Sequence, residues 1–121
     1  MTTKPTVFIV EDDPDTREML TSFLQLEGFH TESAPNGREA LDRLQAGAEA
    51  NVILLDLMMP VMDGWQLRTR QAQDARLAKI PTIVVSAAGR DRMAQIHADA
   101  YLAKPIDMDE LLSRVSQFCA V

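Results

Sequence analysis

Asp56 closes the apolar run Val52-Ile53-Leu54-Leu55, and Glu11-Asp12-Asp13 follows Val7-Phe8-Ile9-Val10 in the same way. A carboxylate placed directly after β-favouring residues reads as the end of a buried strand. It then stands at the carboxyl edge of a sheet, where open α/β proteins bind ligands. Strand ends of this kind lying side by side gather negative charge in one cleft. Such a cluster is unstable by itself: either a carboxylate takes a proton or a cation binds. Few, hard oxygen donors suit Mg²⁺, which keeps several waters and accepts phosphate oxygens. Ser86 ends another apolar run with a hydroxyl, and Lys104, before Pro105, follows a further one with an ammonium. Carboxylates, a divalent ion, a hydroxyl and an ammonium around one acid make an inventory for phosphoryl transfer, where catalysis is mainly positioning and charge neutralisation. Asp56 is the nucleophile in that chemistry, and its product is an acyl phosphate.

The elements that must position these groups alternate strand and helix along the chain. Strands are predicted at about Thr6–Val10, His30–Ser33, Val52–Asp56, Ile80–Ser86 and Ala100–Leu102. The first helix runs from Pro14 to Leu26, with proline in the first turn, Met19, Leu20, Phe23 and Leu24 facing inward, and Gly28 as its stop. Asn36 caps the second helix, which buries Ala40, Leu41 and Leu44 and ends at Gly47. The third begins near Gly64 or Trp65 and is polar after Leu67. A short fourth fits Arg90–Ile96. The fifth follows Asp107, with Glu110 completing a capping box and Met108, Leu111, Leu112, Val115, Phe118 and Cys119 as its stripe. This pattern predicts an α/β fold: a flavodoxin-like, doubly wound parallel sheet of five strands in order 2-1-3-4-5, with five helices of which the fourth is short or irregular. Neighbouring first and third strands bring Glu11, Asp12 and Asp56 together.

Composition bounds the function. The 121 residues suit one domain over 1–121, and 46% hydrophobic with 25% charged residues is ordinary globular usage. A net charge of −6 argues against direct nucleic-acid binding, which needs basic patches. A lone Cys119 allows no internal disulfide and suits the cytoplasm. No apolar run approaches the roughly 20 residues that span a bilayer, so no membrane insertion is expected.

Val10-Glu11-Asp12-Asp13-Pro14, Leu54-Leu55-Asp56-Leu57-Met58-Met59-Pro60-Val61-Met62-Asp63-Gly64, Val84-Val85-Ser86-Ala87 and Tyr101-Leu102-Ala103-Lys104-Pro105 occur in this order. Together they resemble the receiver domain of two-component response regulators, from end to end of the chain. The resemblance implies that Asp56 is the phosphoacceptor. It implies that Asp12, Asp56 and the Met58 main-chain carbonyl bind Mg²⁺, with Glu11 acting on the ion through water. It gives Ser86 and Lys104 to the phosphoryl oxygens, makes Pro105 a loop-fixing residue often preceded by a cis peptide, and makes Tyr101 the aromatic switch that turns inward with Ser86. The implied donor is a histidine kinase or a histidine phosphotransfer protein. The implied output is a protein target docking on the fourth helix, fifth strand and fifth helix. The chain is then a phosphoacceptor that assists its own phosphorylation and dephosphorylation, not an enzyme acting on others.

The Ser86–Lys104 interval is shorter than in most of that family by about four residues, roughly one helical turn, and His97 stands where the family usually has glycine. A phosphohydrolase with an aspartyl nucleophile needs an acid two residues on, where this chain has Met58. A flavin protein of this fold needs a phosphate-binding first loop, where this chain has Glu11-Asp12-Asp13. The remaining alternatives are a pseudo-receiver that binds partners without phosphorylation, and a receiver excised from a larger regulator or hybrid kinase. The Met1 start and the end just past the last helix favour a stand-alone domain like the chemotaxis regulators. Asp13, Asp15 and Asp63 are read as solvated loop charges.

Overall fold

The apolar runs pair into one parallel sheet: β1 (Thr6–Val10), β2 (His30–Ala34), β3 (Val52–Asp56), β4 (Thr82–Ser86) and β5 (Ala100–Ala103), in order β2-β1-β3-β4-β5. The computed structural model describes residues 4–56, 64–87 and 98–119. Every residue of β1, β3 and β4 is buried, as unbroken apolar strands require when helices cover both faces. On one face Val7, Ile9, Leu54 and Ile83 pack under Leu20 and Leu24 of α1 (Pro14–Leu26) and under Leu111 and Val115 of α4 (Met108–Cys119). On the other, Phe8, Val10, Ile53 and Leu55 pack under Leu41 and Leu44 of α2 (Gly37–Gln45) and Leu67 of α3 (Gly64–Ala72). The period-two alternation of side chains along each strand divides the core in this way.

Local chemistry sets the helix limits. Gly28 and Gly47 follow α1 and α2 at φ of 96° and 106°, a conformation that costs glycine little. The next amide in each case reaches five residues back, Phe29 N to Leu24 O at 3.0 Å and Ala48 N to Arg43 O at 3.0 Å, closing a Schellman motif. Asn36 caps α2 through the Glu39 amide at 2.9 Å, and Asp107 caps α4 through the Asp109 and Glu110 amides at 2.9 and 3.1 Å.

Several expectations change. Four α-helices and a 3-10 turn at Leu77–Lys79 stand among the described residues, where five helices were predicted. The predicted fourth helix, with Arg90–Ile96 and His97, lies outside the described residues, as do Met58 and the rest of 57–63. β4 begins at Thr82 instead of Ile80, because the Ile80 amide closes the 3-10 turn onto Leu77 O at 3.1 Å. Met19 is 44% exposed instead of buried; α1 seats Leu20 and Leu24 on the sheet and turns Met19 outward.

The polar third helix also finds its explanation. Gln71 is 1% exposed, and its Nε2 donates to Leu77 O at 2.8 Å and Ile80 O at 3.2 Å. Thr82 Oγ1 lies 3.4 Å from the same nitrogen. One amide thus ties α3 to the 3-10 turn and to the start of β4. Gln71→Ala leaves buried carbonyls without that donor and opens a small void. Urea titration should show a loss of about 1–3 kcal/mol with an unchanged m-value. A loss under about 0.5 kcal/mol, typical of surface sites, would make the contacts incidental.

Candidate functional site

Adjacent strands end at the same edge of the sheet, and the charges stand at the end of β3 (Asp56) and just past the ends of β1 (Glu11, Asp12) and β5 (Lys104). In the β1–β3 pairing Val10 lies opposite Leu55, so Glu11 and Asp56 are the next residues on each strand. Both are buried, whereas Asp12 is exposed. Oxygens of Glu11, Asp12 and Asp56 all come within 4.8 Å of one another. Lys104 bridges the two buried acids, its Nζ at 2.9 Å from Glu11 Oε1 and 3.1 Å from Asp56 Oδ2. The ammonium is well placed because the β4–β5 ladder continues one step past the strands, with the Lys104 amide donating to Ser86 O at 3.1 Å. The Lys104–Pro105 peptide is cis.

This arrangement shifts the proton equilibria. Burial, then the neighbouring Asp56, raises the Glu11 carboxyl above its ordinary value, with Lys104 partly opposing. Asp12 is also raised, by desolvation and by Glu11 beside it. Burial alone would lower the Lys104 ammonium, but Glu11 and Asp56 outweigh it and hold it above the usual lysine value. Three carboxylates converge on one ammonium, an excess of acid over the base that contacts them. A compact divalent cation with oxygen preference matches that excess and the donor set.

Ser86 is fully buried and lies opposite Ala103, while Val84 lies opposite Tyr101. Because side chains alternate, Ser86 and Tyr101 share one face of the sheet as diagonal neighbours. Tyr101 is 40% exposed, and its hydroxyl accepts from the Ala98 amide at 3.1 Å. The predicted Met58 carbonyl lies outside the described residues.

Asp13, read from sequence as a solvated charge, is the N-cap of α1: its Oδ2 accepts from the Thr16 amide at 3.1 Å and from the Thr16 hydroxyl. That hydroxyl first, and the amide second, hold its carboxyl below the ordinary value. The signal was present in the sequence as Asp13-Pro14 opening a helix, the usual cap followed by proline at the first position.

The sequence pattern of the family described as response regulator receiver domain matches residues 7–116. A 14.6 kDa protein from the sodA1 3′ region of Leptolyngbya boryana is 37% identical over 117 residues, covering 93% of this chain and 88% of its own. Response regulator Rre1 of Synechocystis is 37% identical over 119 residues, covering 94% of this chain and 51% of that protein. This chain spans about half the length of most such curated relatives, between 46% and 51%. Among solved structures, a putative response regulator from Chloroflexus aurantiacus superposes with a TM-score of 0.89 at 29% identity, covering 98% of this chain and 100% of that one. The response regulator TrrA of Thermotoga maritima, in complex with Mg²⁺ and BeF, superposes at 0.83 with 28% identity, covering 94% and 98%.

Proposed function

This chain belongs to the response regulator receiver domain family, and we propose that it is a phosphorylation-controlled signalling receiver with Asp56 as phosphoacceptor. The observation that carries the reading is the convergence of Glu11, Asp12 and Asp56 within 4.8 Å, with Lys104 bonded to the two buried acids. A histidine kinase or a histidine phosphotransfer protein supplies the phosphoryl group. An Asp56 oxygen attacks phosphorus, the new O–P bond forms, and the P–N bond to the donor imidazole breaks. The acyl phosphate stays on Asp56.

Glu11, Asp12 and Asp56 would hold Mg²⁺, with the Met58 carbonyl. The ion, when bound, offsets negative charge on the entering phosphoryl oxygens. Lys104 already contacts Asp56 at 3.1 Å and so is within reach of a group attached there. Ser86, one residue past the Asp56–Val85 pair, offers its hydroxyl from the neighbouring strand. The phosphoryl group adds nearly two negative charges and strong acceptors, which draw Ser86 and Lys104. Tyr101 shares the face of Ser86 and is the ring that follows it. The face built by β5 and α4, with the predicted helix over 90–96, is the surface offered to a downstream protein. The chain is a phosphoacceptor assisting its own phosphorylation, not an enzyme with a separate substrate. Among the described residues no helix is long and apolar enough to cross a membrane.

The test is intact-mass spectrometry after incubation with acetyl phosphate. One phosphoryl mass should appear with Mg²⁺ and vanish with a chelator. Absence of any adduct, from acetyl phosphate or a phosphorylated histidine donor, would support the pseudo-receiver alternative.

Metal binding should also depend on pH. Burial and their acidic neighbours raise the Glu11 and Asp12 carboxyls from their ordinary values, and Mg²⁺ must displace any protons they hold. Affinity therefore falls with acidification earlier than it would for carboxylates of ordinary pKa. Calorimetric titrations in buffers of different ionisation enthalpy should report proton release on Mg²⁺ binding that grows as the pH is lowered. Asp12→Ala should lower Mg²⁺ affinity at neutral pH by at least about tenfold. An unchanged affinity in that variant would remove Asp12 from the ligand set.

A further inference from the structure

The connection between β1 and α1 is only Glu11, Asp12 and Asp13, yet it must aim acidic groups at one point. Arg17, one turn into α1, takes up the main-chain carbonyls of the first two with its side chain, while its main-chain amide makes the ordinary first helix bond to the third. Its Nη1 donates to Glu11 O at 2.8 Å and, more weakly, to Asp12 O at 3.4 Å, and its amide donates to Asp13 O at 2.9 Å. Three other polar groups of the turn are engaged as well. The Glu11 amide donates to Ala34 O at 3.1 Å, the Asp13 amide to Glu11 Oε2 at 3.4 Å, and the Asp13 carboxylate caps α1. With its carbonyls held toward the helix, the loop presents the Glu11 and Asp12 carboxylates to Asp56.

We propose that Arg17 is a positioning residue for the divalent ion, fixing the β1–α1 turn so that Glu11 and Asp12 meet the geometry Mg²⁺ demands. The proposal rests on the metal reading above, and its electrostatics give it a distinctive sign. Arg17 is a cation beside a cation site, so on charge alone its removal should tighten Mg²⁺ binding. Its role as a positioning residue predicts weakening. Mg²⁺ requires near-ideal octahedral geometry, whereas Ca²⁺ accepts irregular, flexible sites. Loosening the turn should therefore penalise Mg²⁺ more than Ca²⁺, which a general loss of stability would not do.

The experiment measures Mg²⁺ and Ca²⁺ affinities calorimetrically for the full chain, with folding checked by circular dichroism. Arg17→Met should bind Mg²⁺ about tenfold more weakly, as is typical when an outer-shell support is lost, and Ca²⁺ much less weakly. Arg17→Lys keeps the charge but replaces a planar donor by a mobile one. It should show a smaller change in the same sense, and it decides the matter if the methionine variant does not fold. Mg²⁺ affinity equal to or tighter than wild type, or equal losses for both ions, overturns the role of Arg17 alone. A wild-type protein that binds neither ion overturns the metal reading and this proposal with it.

Discussion

Asp56→Asn should abolish the phosphoryl adduct outright while leaving the metal-free protein at least as stable as wild type. The first half follows from chemistry. An amide oxygen is a poor nucleophile, and no other carboxylate in the cluster occupies the end of β3. The second half follows from the geometry. Asp56 and Glu11 are buried acids that share one ammonium, and asparagine removes one of two like charges while the 2.9 Å Lys104–Glu11 pair remains possible. Asp56 is also among the causes that raise the Glu11 carboxyl, after burial, so that carboxyl should titrate closer to its ordinary value in the variant. Mg²⁺ affinity should fall by more than about tenfold, the loss typical of an outer-shell partner, because on the reading proposed above Asp56 would ligate the ion directly. Mass spectrometry, urea titration and NMR titration of the Glu11 side chain check these outcomes. A stoichiometric adduct persisting in Asp56→Asn would mean that another residue accepts the phosphoryl group.

Lys104→Met should have the largest effect on stability. The lysine side chain keeps 28% of its exposure, against 4% and 6% for its partners Glu11 and Asp56. Removing it strands two acids that are largely out of water. Breaking a fully buried pair costs about 3–5 kcal/mol, and partial solvation of the ammonium reduces the expected loss to about 2–3 kcal/mol.

The loss should depend on pH in a definite direction. The Lys104 pKa is raised on folding, so its contribution is complete below the unfolded lysine value and disappears only as pH rises through the folded one. Across the neutral range the pair is therefore fully present in wild type. In the variant the stranded Glu11 carboxyl, already raised by burial, can take a proton, so the destabilisation should shrink on acidification and grow towards neutrality. Mg²⁺ should restore more stability to Lys104→Met than to wild type, because the ion supplies the missing charge and no longer competes with an ammonium. The same variant should still accept a phosphoryl group yet lose the conformational response, since Lys104 is the cation that would follow the new oxygens. Urea titrations across pH, with and without Mg²⁺, decide the first claims. Chemical-shift changes on β5 and α4 after treatment with beryllofluoride decide the last. Loss of Mg²⁺ binding in Lys104→Met would contradict the role given to the lysine.

Much of this architecture was legible in the chain itself. Unbroken apolar runs ending in acid specify strands covered on both faces, and the caps Asn36 and Asp107 with the stops Gly28 and Gly47 specify helices between them. These are local signals, decided by the backbone preferences of a few neighbouring residues. They place Glu11, Asp12, Asp56, Ser86 and Lys104 at one edge of the sheet once the strand order is granted. Tertiary structure decided what those groups do to one another. Lys104 meets Glu11 across 93 residues and Asp56 across 48, and a long side chain chooses its partner only when strand ends have been brought side by side. The burial of Gln71, the outward turn of Met19 and the hold of Arg17 on the acidic loop are of the same kind. Each depends on how a helix is rotated and seated on the sheet, and the period of a helical pattern leaves that rotation open by a residue in either direction.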